Sequence, residues 1–119
     1  MQAKNQMSST ELDTLRHRLC TFAKARDWDQ FHSPKNLSMA LSAEVAVIVE
    51  HFQWLNEEQS RNLPKDKLDE VEAELEDTLI YLIHLANKLD INLLKSAQNK
   101  IEVNEQKYPV DKVKSRADK

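Results

Sequence analysis

Apolar residues recur along this chain at three- and four-residue intervals, and the intervals mark four helices. Leu12, Leu15, Leu19 and Phe22 stand at i, i+3, i+7 and i+10. That stripe predicts a first helix over about 8–24, with Ser8 and Glu11 at capping-box spacing. A loop carrying Trp28, Phe31 and His32 follows. Ser33-Pro34, a cap followed by proline at the first helical position, opens a second helix over about 34–58. From Leu37 to Phe52 this helix is apolar over more than half its circumference, which predicts burial on several sides, in a bundle or at a subunit interface.

A short polar link with Pro64 leads to a third helix over about 66–89. Its acidic first half suits the positive end of the helix dipole, and its second half is mostly apolar. The fourth covers about 92–107, with Leu93, Ala97 and Ile101 as its expected buried stripe, and Tyr108-Pro109 stops it. The expected architecture is an all-α four-helix bundle. Residues 8–109 form its single domain, between a polar extension, 1–7, and a polar, mobile tail, 110–119.

Composition narrows the possible chemistry. The chain has 119 residues, enough for one domain with a real core. A net charge of −3 argues against a general nucleic-acid or membrane-surface binder. Glycine is absent, which excludes glycine-rich phosphate loops and disfavours tight hairpins. The single cysteine, Cys20, lies beside Leu19 near Phe22 and reads as a packed side chain. It allows no intrachain disulfide, which fits a reducing cytosol. No stretch approaches a membrane-spanning length. The first ten residues lack an apolar signal core, so a cytoplasmic location is expected, with Met7 an alternative start.

Three acids stand out against this background. Glu44 lies within Ala43-Glu44-Val45-Ala46-Val47-Ile48, and Glu74 and Asp77 precede the run Thr78-Leu79-Ile80-Tyr81-Leu82. A carboxylate in a buried helix needs something positive beside it. Glu70, Glu74, Asp77 and Tyr81 share one face of the third helix. Glu44, Val47, His51 and Trp54 share one face of the second. If these helices pack antiparallel, Glu44, Glu74 and Asp77 converge. Three carboxylates with open positions suit magnesium and a phosphate ligand. A solvated acidic face fits Glu57, Glu58, Asp69, Glu70 and Glu72 better than it fits Glu44. A buried pairing with lysine or arginine is the other alternative.

Two further groups are weaker taken singly. Lys100, Asn104 and Lys107 form a row on the fourth helix that can receive phosphate oxygens, although, taken alone, an ordinary exposed lysine face explains it better. Trp28, Phe31, Trp54 and Tyr81 read first as core or interface anchors. Trp28, in a loop among charged residues, is the best placed of them to stack on a base. His32 and His51 make no zinc spacing.

The chain resembles the MazG-like all-α nucleoside triphosphate pyrophosphohydrolases, in particular their dCTP pyrophosphatase branch. The resemblance covers about 15–109. It is carried by the run from Phe22 to His32 and by Pro34-Lys35-Asn36-Leu37. It continues through Glu44-Val45, Phe52-Gln53-Trp54, the run from Glu74 to Leu82, and Lys100 with Asn104 and Lys107-Tyr108-Pro109.

The resemblance implies a magnesium enzyme that splits a nucleotide between its α and β phosphates, for nucleotide-pool house-cleaning. It implies homodimers or homotetramers with sites at subunit interfaces. Glu44, Glu74 and Asp77 would be the catalytic and metal residues. Trp28, Trp54 and Tyr81 would line the base pocket with His32 nearby, and Lys100, Asn104 and Lys107 would meet the phosphates. One position departs from the pattern: the family's Glu-x-x-Glu reads Glu44-x-x-Val47 here, one acidic ligand short. A slower enzyme, a non-catalytic nucleotide-binding homologue and an engineered inactivating change are all compatible with that valine. A structural oligomerisation module remains the alternative from a different class.

Overall fold

The computed structural model describes residues 9–114. Ser8, the extension 1–7 and the last five residues of the tail lie outside them. Among the described residues the regular structure is entirely helical, so the protein is all-α as expected. Helix α1 is Ser9–Ala25, followed by a 3-10 turn, Trp28–Gln30. Helix α2 is Pro34–Phe52, α3 Glu57–Arg61, α4 Lys65–Lys88, α5 Leu93–Lys107 and α6 Val110–Val113. No helix among the described residues is long and apolar enough to cross a membrane.

The helix ends follow from local chemistry. The Ser33 hydroxyl accepts from Asn36 N–H at 3.1 Å with Pro34 in the first turn, as its sequence predicts. Helix α4 ends in an αL residue although the chain has no glycine to place there. Asp90 takes φ 55°, Asp90 N–H donates to Asn87 O, and Ile91 N–H donates to Ala86 O at 2.9 Å. This is a Schellman closure built on aspartate, one of the few other residues that tolerate αL. Asp27, also at φ 55°, turns the chain after α1, with its N–H donating to Lys24 O at 3.0 Å.

Three expectations are corrected. The second helix stops at Phe52, not near residue 58, because Asn56 and Gln59 form a capping box that starts α3. Asn56 Oδ1 accepts from Gln59 N–H at 2.8 Å, and Gln59 Oε1 accepts from Asn56 N–H at 3.0 Å. The box holds Asn56 extended, so one helix cannot run through it. The tail also begins with a short helix, α6, set up by Pro109. The third correction concerns α5. Leu93 and Leu94 are half-buried, but every residue from Lys95 to Lys107 is exposed, with Ile101 at 59%. The expected Leu93-Ala97-Ile101 stripe is therefore uncovered beyond its first turn, because α5 projects from the other helices.

Helices α2 and α4 make the main packing interface, with α1 against α4. The core is correspondingly small: Ala23, Leu37, Val71, Ile83 and Ala86 are its buried apolar residues. Val45 and Val49 on α2 and Leu75, Leu79 and Leu82 on α4 remain exposed. The radius of gyration is 17.5 Å, against about 13 Å for a compact chain of this length. Among the described residues helix α2 is thus covered on one side only.

Leu37, 2% exposed at the start of α2, is the largest fully buried side chain. Leu37→Ala is expected to destabilise the fold by roughly 2–5 kcal/mol, read as a lower denaturant midpoint at unchanged slope.

Candidate active site

Antiparallel packing of α2 on α4 sets the register of the site. His51 near the end of α2 meets Glu70 near the start of α4, with His51 Nδ1 3.8 Å from Glu70 Oε1. Two turns back along α2, Glu44 faces Glu74 and Asp77 further along α4. One carboxylate oxygen from each of the three lies within 4.8 Å of the others. The alternative of a buried pairing is not found: among the described residues no lysine or arginine pairs with any of them.

Placing like charges together has a measurable consequence. The Glu44 carboxyl is raised above the ordinary carboxylate range by its hydrogen bond with the Glu74 side chain, then by desolvation and by the Glu74 charge. Glu74 Oε2 is buried and has no hydrogen-bond partner. An orphaned carboxylate oxygen is expensive in such a place, and a hard divalent cation held by oxygen ligands satisfies it. The residues present fit a cation of that kind. Asp77 is the exposed member of the three and Glu44 and Glu74 are half-buried, so the cluster opens outward. Val47, also half-buried, stands one turn beyond Glu44 and adds no oxygen.

Asp77 also lines a cleft of roughly 440 Å³ between α1, α4 and the loop after α1. That volume falls in the usual range for small-molecule sites. Trp28, His32, Tyr81 and His84 share the cleft with apolar residues of α1, among them Leu19 and Phe22. The loop holding Trp28 and His32 is tied down at several points. Lys88 Nζ donates to Asp29 Oδ1 at 3.1 Å. The Phe22 and Trp28 rings meet edge-on at 5.4 Å, and the Arg26 guanidinium lies 3.6 Å over Phe22. His32 stands 6.1 Å from Trp28 and 4.7 Å from His84. A largely apolar pocket where α1, α4 and α5 meet is only about 90 Å³ and holds none of the three acids.

The structure therefore gathers Glu44, Glu74 and Asp77, and joins Asp77 to Trp28, His32 and Tyr81. It does not bring the other expected residues there. Trp54 is 86% exposed in the turn after α2 and does not line the cleft. Lys100, Asn104 and Lys107 stand exposed on the projecting part of α5, with Lys107 Nζ 5.4 Å over the Tyr108 ring. Two cleft residues, Arg18 and His84, escaped the sequence reading. For His84 a signal existed, because it lies at i+3 from Tyr81 and i+7 from Asp77, on the same face of α4.

Comparisons with known proteins show the family to which the chain belongs. The chain matches the MazG-like family over residues 39–119 and belongs to it. It is 38% identical to dCTP pyrophosphatase 1 of Mus musculus over 101 residues, 83% of this chain and 59% of that protein. It is 35% identical to dCTP pyrophosphatase 1 of Homo sapiens over 107 residues, 87% of this chain and 62% of that one. The chain thus spans about three-fifths of the length of these relatives. Among solved structures it is similar to a pyrophosphatase from Archaeoglobus fulgidus. That match has a TM-score of 0.77 and 36% identity, covering 89% of this chain and 99% of the other.

His84 gives the site a pH dependence. Burial lowers its pKa below the ordinary histidine value, His32 lowers it further, Asp29 opposes the shift and Lys88 adds to it. Below the unfolded-state value, about 6.5, the unfolded chain binds a proton that the folded chain resists. The contribution to stability is full above that pH and is lost as pH falls toward the folded-state value. Melting temperature is expected to drop between pH 7.5 and 5.5, and His84→Leu to flatten that drop.

Proposed function

We propose that the chain is a magnesium-dependent nucleoside triphosphate pyrophosphohydrolase. It cleaves (d)NTP between the α and β phosphates to give (d)NMP and pyrophosphate, with dCTP-type substrates favoured and removal of excess or non-standard nucleotides in the cytoplasm as its role. The observation that carries the reading is the double position of Asp77, in the acid cluster and in the wall of the aromatic cleft. A phosphate chain drawn to the acids leaves its base beside Trp28 and Tyr81. The names of the MazG-like relatives, dCTP pyrophosphatase and pyrophosphatase, support a nucleotide substrate and a pyrophosphatase activity.

Glu44, Glu74 and Asp77 would hold the magnesium. Bound there, the ion supplies neutralisation of phosphate charge and a lower pKa for a coordinated water. A carboxylate of the cluster orients the attacking water and takes its proton. Trp28 and Tyr81 offer flat faces for the base, with His32 beside them. Leu15, Leu19 and Phe22 form an apolar wall beside them. Lys100, Asn104 and Lys107 would contact phosphates, and Trp54 the base, across the interface of a homodimer or homotetramer. The exposed apolar face of α2 and the projection of α5 support that arrangement.

Incubation with dCTP and magnesium is expected to release pyrophosphate. Asp77→Asn should lower that rate by more than about 100-fold, beyond the range typical of residues that only support a metal ligand. Absence of both pyrophosphate release and magnesium-dependent nucleotide binding would overturn the reading.

One observation favours a second reading, a nucleotide-binding homologue without efficient turnover: Val47 stands where a fourth carboxylate would complete the cluster. Val47→Glu separates the two. A gain in turnover of roughly tenfold or more, about 1.4 kcal/mol in the barrier, marks an enzyme short of one ligand. Nucleotide binding without turnover in both proteins marks the binder.

A further inference from the structure

His84 is 7% exposed, the one buried side chain with polar atoms in the core of the described residues. It makes no hydrogen bond to the protein there; its close neighbour is the ring of His32 at 4.7 Å. Its ring nitrogens are not among the fully buried polar atoms left without a partner, which are Glu74 Oε2 and Asn87 Nδ2, so the imidazole is not sealed away. Its ring helps to wall the Trp28–Tyr81 cleft on one side, and on the other a second cavity of roughly 230 Å³ bounded by Cys20, Lys24 and Asn87. The cleft lining near it is otherwise largely apolar, with Leu15, Leu19, Phe22 and Ile80 contributing.

Position narrows the partner. His84 lies two helical turns beyond Asp77 on the same face of α4, about 10 Å along the axis. That is comparable with the reach from a nucleotide's α-phosphate to the polar edge of its base. Tyr81 lies between them. We propose that His84 is a specificity residue whose buried imidazole hydrogen-bonds the edge of the nucleobase in the cleft. The inference rests on the nucleotide reading of the site and deepens it.

Burial and the adjacent His32 keep the ring neutral at neutral pH, with one donor and one acceptor nitrogen. Such a group reads a carbonyl or ring nitrogen of a base. It offers a phosphate little, because it carries no charge. Phosphate affinity then belongs to the acid cluster and its cation, and base affinity to the far end of the cleft.

Calorimetry on the full chain with magnesium tests this, with α,β-imido-dCTP and inorganic tripolyphosphate as ligands. His84→Leu is expected to weaken binding of the dCTP analogue by about tenfold or more, the scale of one lost buried hydrogen bond. Tripolyphosphate, which has no base, should bind within about twofold of the wild-type value. His84→Gln keeps a donor and an acceptor and should restore most of the loss. His84→Phe, which keeps a flat ring, replaces His84→Leu if the latter does not fold. Unchanged affinity for the dCTP analogue in a folded variant overturns the inference alone. Equal weakening for both ligands also overturns it, since that marks a structural role. Wild-type protein that binds neither ligand overturns the nucleotide reading, and the inference with it.

Discussion

Two carboxylates that repel one another, Glu44 and Glu74, are held side by side where α2 packs on α4, and the rest of the site is arranged around them. The acids are held by packing of α2 on α4 outside the cluster, where Leu37 on α2 and Val71 on α4 are buried and His51 meets Glu70. Glu44 responds with a raised pKa, and Glu74 keeps a buried oxygen without a partner. Neither feature stabilises the folded protein. A site that retains such costs suits a cation that arrives from solution.

The acids and the cleft meet at one residue. Asp77 shares a ligand-sized space with Glu44 and Glu74 and also faces the cavity containing Trp28 and Tyr81. The loop that carries Trp28 is rigidified by the Lys88–Asp29 pair and by the run of rings from Phe22 to His84. Both walls of the cleft are therefore referenced to α4, the helix that also carries two of the acids. That shared reference lets one helix fix the spacing between a charged end and an aromatic end.

Much of this was legible in the sequence. The Ser33-Pro34 start, the Tyr108-Pro109 stop and the stripe Glu74-Asp77-Tyr81 are local signals, and the structure follows them. The convergence of Glu44 with Glu74 and Asp77 needed only one tertiary assumption, antiparallel neighbours. The end of α2 was misread because its apolar run carries no breaker near Phe52. The stop comes from Asn56 and Gln59, which act together on the following helix. The expected burial of the Leu93-Ala97-Ile101 stripe was misplaced for a different reason. Apolar periodicity says that a face is to be covered, but not that this chain covers it. His84 was passed over because, in an apolar run, a histidine looks like a packed side chain until the cavities on its two sides are seen.

The central claim is that Glu44, Glu74 and Asp77 form one cation site despite Val47. Manganese binding followed by electron paramagnetic resonance tests it most directly, since the ion itself is the probe and no turnover is required. Saturable binding to the wild-type protein is expected, and Glu74→Gln is expected to weaken it by at least about tenfold. Binding that is absent, or equal in the two folded proteins, would contradict it.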